Sequence, residues 1–290
     1  ACGHDGHTTM LLGAARYLAE TRRFAGTTYL FFQPAEEGKA GAKAMMDDGL
    51  FERFPVDQVY GLHNWPGLTS GTFGMCKGPA MAASDEFRIS LTGRGSHAAM
   101  PHASLDPVTA GAAIVQSLQT IVARQVDPID NAVVSVTQFH AGDAFNVIPE
   151  KAVLAGTVRT FRPATRDFCE QRLREIAGGI ASAMGVTCDV FYRRGYPPTV
   201  NHDRESDLAA DTAAEIVGET QVDRAPAPAM GAEDFSFMLE EKPGSYIWLG
   251  VGGAEEGKIL HSPYYDFNDE ALTVGASYWA RLVERLLPAT

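Results

Sequence analysis

Cysteine is scarce in this chain, basic charge is in deficit and long apolar runs are missing; each shortage removes a class of protein. The four cysteines (Cys2, Cys76, Cys169 and Cys188) among 290 residues are too few and too scattered for a disulfide framework. A reducing cytoplasm is the simpler location. No uninterrupted apolar stretch reaches the roughly 18 residues of a membrane span, so no membrane partner is expected. With 24 Lys/Arg against 36 Asp/Glu the net charge is −12, and no basic surplus exists to neutralise a phosphate backbone. Nucleic acid is therefore not an expected partner. Internal repeats and low-complexity tracts are absent as well. The remaining composition, 45% hydrophobic and 21% charged, is that of a globular enzyme. Its length allows one large core, or a core plus an inserted module.

The charge is unevenly spread. Residues 84–196 hold 11 Lys/Arg and 11 Asp/Glu, whereas the rest holds 13 against 25 and carries the whole excess. A neutral middle segment suggests a separate domain. Hydrophobic periodicity predicts a helix from His7 to Arg22, a buried strand over Thr27–Phe32, a short helix over Gly41–Asp48 and a strand over Val56–Leu62. Glu36, Glu37 and His63 are then expected just beyond strand ends, where open α/β sheets place their ligands. The middle segment reads strand Glu86–Thr92, helix Asp106–Ala123, strands Ala132–Phe139 and Ala152–Thr160, helix Arg166–Met184 and strand Val186–Tyr192. That βαββαβ order is a split-βαβ, ferredoxin-like α+β domain, and Pro197–Pro198 mark its exit. The chain then returns to helix Ser206–Val217, a helix after Gly231, strand Ser245–Val251 and a last amphipathic helix, Asp269–Leu287. The expected fold is α/β: a core from 1–83 and 197–290, with an inserted α+β domain over 84–196.

The segment ACGHDGHTTM places a thiol at Cys2 and imidazoles at His4 and His7. PAEEGKAG adds the carboxylates Glu36 and Glu37. Thiol, imidazole and paired carboxylates suggest a metal that activates water for hydrolysis. Adjacent side chains diverge, so one carboxylate can ligate while the other acts as base. Alone, a Cys-x-His pair or two neighbouring acids are weak signals, since paired acids usually form a solvated loop. His63 in GLHNWPG and His261 in LHSPYYDFND are equally ambiguous singly. Together Cys2, His4, Glu37, His63 and His261 make five metal-type donors, enough for two ions with a bridging ligand or one ion with an open position. Zinc, manganese, cobalt or nickel would suit such a set. His7 and His102 read as structural, and Cys76, Cys169 and Cys188 as buried thiols. Glu233 and Asp234 read as helix-start charges.

The segments CGHDGH, FFQPAEEGKAGA, GLHNWPG, GRGSHAAMPH, FNVIPEKAVLAGTVRTF, MGAEDFSFM and LHSPYYDFND resemble the M20 metallopeptidase family in its aminoacylase/amidohydrolase branch. Hippurate hydrolases, N-acyl-L-amino acid amidohydrolases and plant auxin-conjugate hydrolases belong to that branch. The resemblance runs in order along essentially the whole chain. It implies a metal-bearing α/β core, an inserted lid that also serves dimerisation, and a homodimer. By position it implies Cys2, His4, Glu37, His63 and His261 as metal ligands and Glu36 as general base. Cys2 stands where other branches have a bridging aspartate. The resemblance also implies a supporting role near the site for Glu233 and Asp234. In the lid, His97, Asn146 and Arg159 match residues that recognise substrate, His97 reaching the partner's site to polarise the scissile carbonyl. A cationic Arg159 would hold the substrate carboxylate against an acidic core; an ordinary surface ion pair is its other reading.

Family members carry a section ahead of CGHDGH, including an Arg-Ala-Asp-Met-Asp-type motif near the metals. A ligand set that opens at residue 2 leads us to expect that the natural protein begins further upstream. The implied function is metal-dependent hydrolysis of N-acyl amino acids of the hippurate or N-acetyl type. Two alternatives are a peptidase or N-acetyl-diaminopimelate-type deacetylase of the same family, and a non-catalytic metal-binding or dimerisation fragment.

Overall fold

The computed structural model describes residues 1–289 and divides into two compact units. The first comprises Ala1–Ala80, Thr199–Pro228 and Asp234 onward. Its four-stranded sheet runs Val59–Trp65, Gly244–Gly250, Phe73–Gly74, Val222–Asp223 in spatial order. The first two strands are parallel, with His63 opposite Trp248 and Asn64 opposite Leu249. Every residue of Gly244–Gly250 is buried, as expected of a strand covered on both faces.

Helices His4–Thr21, Asp203–Val217 and Glu270–Leu286 flank that sheet. The first buries Gly6, Met10, Ala14 and Leu18, a four-residue spacing that lines up one helix face. Its partner, Glu270–Leu286, carries Gly275 where a Cβ would overlap the Met10 sulfur, so this glycine sets how closely the two helices approach. Met10, Leu62, Phe73, Met75, Ile247, Leu249 and Tyr278 form the core between them.

The second unit, Met81–Pro198 with Ala229–Glu233, has strands Asp85–Thr92, Ala132–Ala141, Lys151–Thr160 and Thr187–Arg194. All neighbouring pairs are antiparallel. In sequence order the strands lie 2-3-1-4 across the sheet, the ferredoxin-like arrangement. Helices Pro107–Thr120 and Pro163–Ala183 pack on it through Ile114, Leu118, Cys169, Leu173 and Ala177, against Phe87, Ile89, Leu91 and Leu154. Asp106 caps the first helix by accepting from the Val108 N–H at 2.8 Å, ahead of Pro107 at the first helical position.

Two expectations are corrected. Thr27–Phe32 is not a buried strand: it is in no sheet and mostly half-buried to exposed. Tyr29 and Phe31 instead pack their rings against Phe54 at 5.5 and 6.1 Å. Apolar β-propensity expresses fit to a pleated neighbour, and no strand lies alongside this segment among the described residues. Consequently Glu36 and Glu37 follow no strand end. His63 lies inside strand Val59–Trp65 rather than just after it.

Candidate metal centre

Three chain segments of the first unit converge. The first carries Cys2 and His4 at the start of helix His4–Thr21, separated by Gly3 at φ +82°. That left-handed turn is one glycine adopts without strain. The second is strand Val59–Trp65 with His63, and the third is the loop with His261. One ligand atom each from Cys2, His4 and His63 lies within 4.8 Å of the others. His261 joins them through its Nε2, 3.6 Å from Cys2 Sγ. It has a positive φ of 64°, and its N–H donates to the Ala1 carbonyl at 2.9 Å.

His63 is buried, and its Nδ1–H donates to the Asn64 carbonyl at 2.7 Å, which leaves Nε2 as the free lone pair. Burial, with His4 and His261 adding to it against that hydrogen bond, brings its pKa down to about 4. Neutral imidazole is the metal-binding form. His7, read from sequence as structural, packs its ring 4.4 Å from that of His63. Its Nε2 stands 3.0 Å from the Asn64 backbone nitrogen and against the Asn64 amide oxygen. Burial, then His63 and His4, hold it well below the ordinary histidine range.

The carboxylates stand differently. Glu36 is half-buried and Glu37 exposed, and Glu37 is not part of the close Cys2–His4–His63 group among the described residues. The loop around them is tightly wound, with Ala35 and Ala40 both at φ 54° and Gly38 at φ 80°. Asp234, fully buried, fastens both sides of this loop: it accepts from Gln33 Nε2 at 2.5 Å and from the Ala42 N–H at 3.0 Å. Burial first, then Asp234 and Glu37, raise the Glu36 pKa to about 7. A carboxylate near neutrality is suited to accept and return a proton.

His97, Asn146 and Arg159 all belong to the second unit. His97 and Val147 face each other in a two-stranded ribbon, and the Ala98 N–H donates to the Asn146 carbonyl at 2.9 Å. His97 and Asn146 are thus exposed neighbours on one ribbon. Arg159 is half-buried on strand Lys151–Thr160, opposite Val133. Burial lowers its pKa, while the fields of Asp85 and Glu86 oppose the shift.

A thiol and imidazoles gathered on an α/β sheet are a donor set of the kind that binds a divalent metal. The chain matches the model of peptidase family M20/M25/M40 over residues 1–285 and belongs to that family. It is an amidohydrolase. It is similar to a hippurate hydrolase of Campylobacter jejuni, 43% identical over 99% of this chain and 74% of the relative. An N-acetylcysteine deacetylase of Bacillus subtilis is 40% identical over 97% and 72% of the two chains. Among solved structures, a Bacillus subtilis protein described as a dinuclear metal-binding peptidase from the M20 family superposes with a TM-score of 0.83 at 35% identity. That match covers 99% of this chain and 72% of the other. Among the described residues no helix is long and apolar enough to cross a membrane.

The donors fit a divalent cation. A thiol and two nitrogens are close enough to share one ion, His63 is neutral, and its free nitrogen is fixed by the bond on the other. Such an outer hydrogen bond is what orients a ligating imidazole.

Proposed function

We propose that the chain hydrolyses the amide bond of N-acyl amino acids, of the hippurate or N-acetyl type. Cys2, His4, His63 and His261 hold one or two divalent cations (zinc, manganese, cobalt or nickel), with Glu37 as a further ligand once its exposed carboxylate turns inward. The observation that carries the reading is the convergence of Cys2, His4 and His63 on one centre. A cation held there supplies a Lewis acid for the acyl carbonyl and lowers the pKa of water. Glu36 takes a proton from the attacking water and returns it to the leaving amine nitrogen, giving a carboxylic acid and a free amino acid.

Residues 84–196 form the lid, and 1–83 with 197–290 form the catalytic core. Within the lid, Arg159 and Asn146 hold the substrate carboxylate. His97 of the partner subunit stabilises the developing oxyanion in a homodimer joined through the lid. Four cysteines outside any disulfide suit a cytoplasmic location.

Hippurate and a panel of N-acetyl amino acids, assayed with Mn²⁺ or Zn²⁺, test the reading. Glu36→Ala is expected to lose about 10²–10⁴-fold in turnover while keeping its metal. A variant with near-normal rate removes Glu36 from the mechanism. Mixing Glu36→Ala with His97→Ala chains should restore activity in heterodimers; no recovery contradicts action across subunits. Turnover of peptides or N-acetyl-diaminopimelate in preference to the panel would favour the alternative substrate class.

A further inference from the structure

Asn64 is the residue that ties the three converging segments together, and its side chain is 0% exposed. It follows His63 on the strand. Its backbone nitrogen stands 3.0 Å from His7 Nε2 and its amide oxygen lies against the same ring nitrogen, so the His7 tautomer sets which of the two bonds forms: an unprotonated Nε2 accepts from the Asn64 N–H, and a protonated one donates to the amide oxygen. His7 lies one helical turn beyond His4. On the other side its Nδ2 donates to the Tyr265 hydroxyl at 2.5 Å, and Tyr265 stands four residues after His261. Its carbonyl accepts from His63 Nδ1. One residue therefore contacts the helix that follows Cys2 and His4, the His63 ring, and the loop that carries His261.

Gly3 shows how closely these pieces are fitted. A Cβ at Gly3 would stand 2.7 Å from Asn64 Oδ1 and 2.8 Å from the Tyr265 hydroxyl. The backbone between Cys2 and His4 thus lies directly on the Asn64–Tyr265 pair. An amide can donate on one side and accept on the other while staying neutral. A hydrophobic residue could do neither. A carboxylate would bring a buried negative charge and lose the donor to Tyr265.

We propose that Asn64, with Tyr265 as its counterpart on the loop, is a positioning residue for the metal centre. It holds Cys2, His4, His63 and His261 in one mutual geometry before any ion arrives. The inference rests on the reading that these four residues bind the metal. Titration of the metal-free protein with Co²⁺ tests it, reading both the dissociation constant and the absorption spectrum. A cobalt-loaded centre would show ligand-field bands and, with Cys2 as a ligand, a thiolate-to-cobalt band.

Asn64→Ala and Tyr265→Phe are each expected to weaken Co²⁺ binding by about 10–100-fold and to alter the band positions. Tyr265→Phe keeps the ring and loses only the hydroxyl, so it decides the matter if Asn64→Ala fails to fold. Its metal-free thermal midpoint should remain close to wild type. Wild-type affinity together with an unchanged spectrum in Tyr265→Phe would overturn the inference while leaving the metal reading intact. A wild-type chain that binds no Co²⁺, or whose spectrum is indifferent to Cys2→Ser, would overturn both.

Discussion

The two units each bury a polar cluster, and the clusters follow opposite rules. In the second unit Asp85, 1% exposed, is the acceptor for every neighbour. The Arg166 guanidinium donates through Nε to both carboxylate oxygens at 3.1 and 3.0 Å. The Tyr192 hydroxyl adds a bond at 2.8 Å and the Gly195 N–H another at 3.2 Å. Opposite charges meet and the lone pairs are used, so folding alone completes the cluster. In the first unit, imidazoles of His4, His7 and His63 crowd within 5.6 Å centroid to centroid. Like charges on neighbouring rings would repel, and burial first holds His7 and His63 below the ordinary histidine range. On the proposed reading a cation would complete that cluster, and this would separate a binding site from a structural tie.

Breaking the structural tie should have the largest effect on stability. Asp85→Ala strands the buried Arg166 charge and is expected to cost about 3–5 kcal/mol, read by urea denaturation. Asp85→Leu combined with Arg166→Met should recover most of that, because an apolar pair of similar volume carries no desolvation penalty. A neutral Asp85→Ala would erase the contrast between the two clusters.

Filling the binding site is next in size. Metal at about 100 times its dissociation constant should stabilise the first unit by about 2.7 kcal/mol. Hydrogen exchange should show the gain in His4–Thr21 and Val59–Trp65, and none in Asp85–Thr92. Uniform protection of both units would contradict the assignment.

Proton linkage sharpens the comparison further. His63 has a folded pKa of about 4 against about 6.5 unfolded. Between those values the unfolded chain binds more protons, so stability falls as pH drops from 6.5 toward 4. Glu36 acts in the other sense. Its folded pKa of about 7 exceeds the unfolded value of about 4.3, so its contribution falls as pH rises through that window. Metal-free His63→Gln should therefore gain in melting temperature over wild type as pH is lowered from 6.5 to 4. An unchanged difference would place His63 in solvent.

Asp234→Asn removes one of the charges that raise Glu36, and should move the acidic limb of the pH–rate profile to lower pH. A limb that stays in place would mean Asp234 acts on the loop only through Gln33 and Ala42. The smallest effect belongs to the exposed Arg193–Glu86 pair at 2.8 Å. Its loss should change stability by no more than about 1 kcal/mol.

Local periodicity carried most of the fold. Phe87, Ile89 and Leu91 alternate with exposed or half-buried residues, and Asp106-Pro107 announces its helix. Thr27–Phe32 misled because propensity says nothing about whether a partner strand is present. At the site, the spacing of Cys2, His4 and the Glu36–Glu37 pair was legible as chemistry. The exposure of Glu37 was not, since it depends on how Ala35, Gly38 and Ala40 wind the loop. Asn64 and Tyr265 left no signal: an asparagine beside a histidine is ordinary until folding brings residues 7, 64 and 265 together. Asp234 was legible as a charge near a helix start or a group near the site, not as the fastener of a loop about two hundred residues earlier.

X-ray absorption at the zinc edge of the zinc-loaded chain tests the central claim most directly. We expect a sulfur scatterer at about 2.3 Å and imidazole nitrogens at about 2.0–2.1 Å, with the sulfur shell lost in Cys2→Ser. An all-oxygen shell, or a sulfur shell that survives Cys2→Ser, would contradict the assignment of Cys2, His4 and His63 as the metal centre.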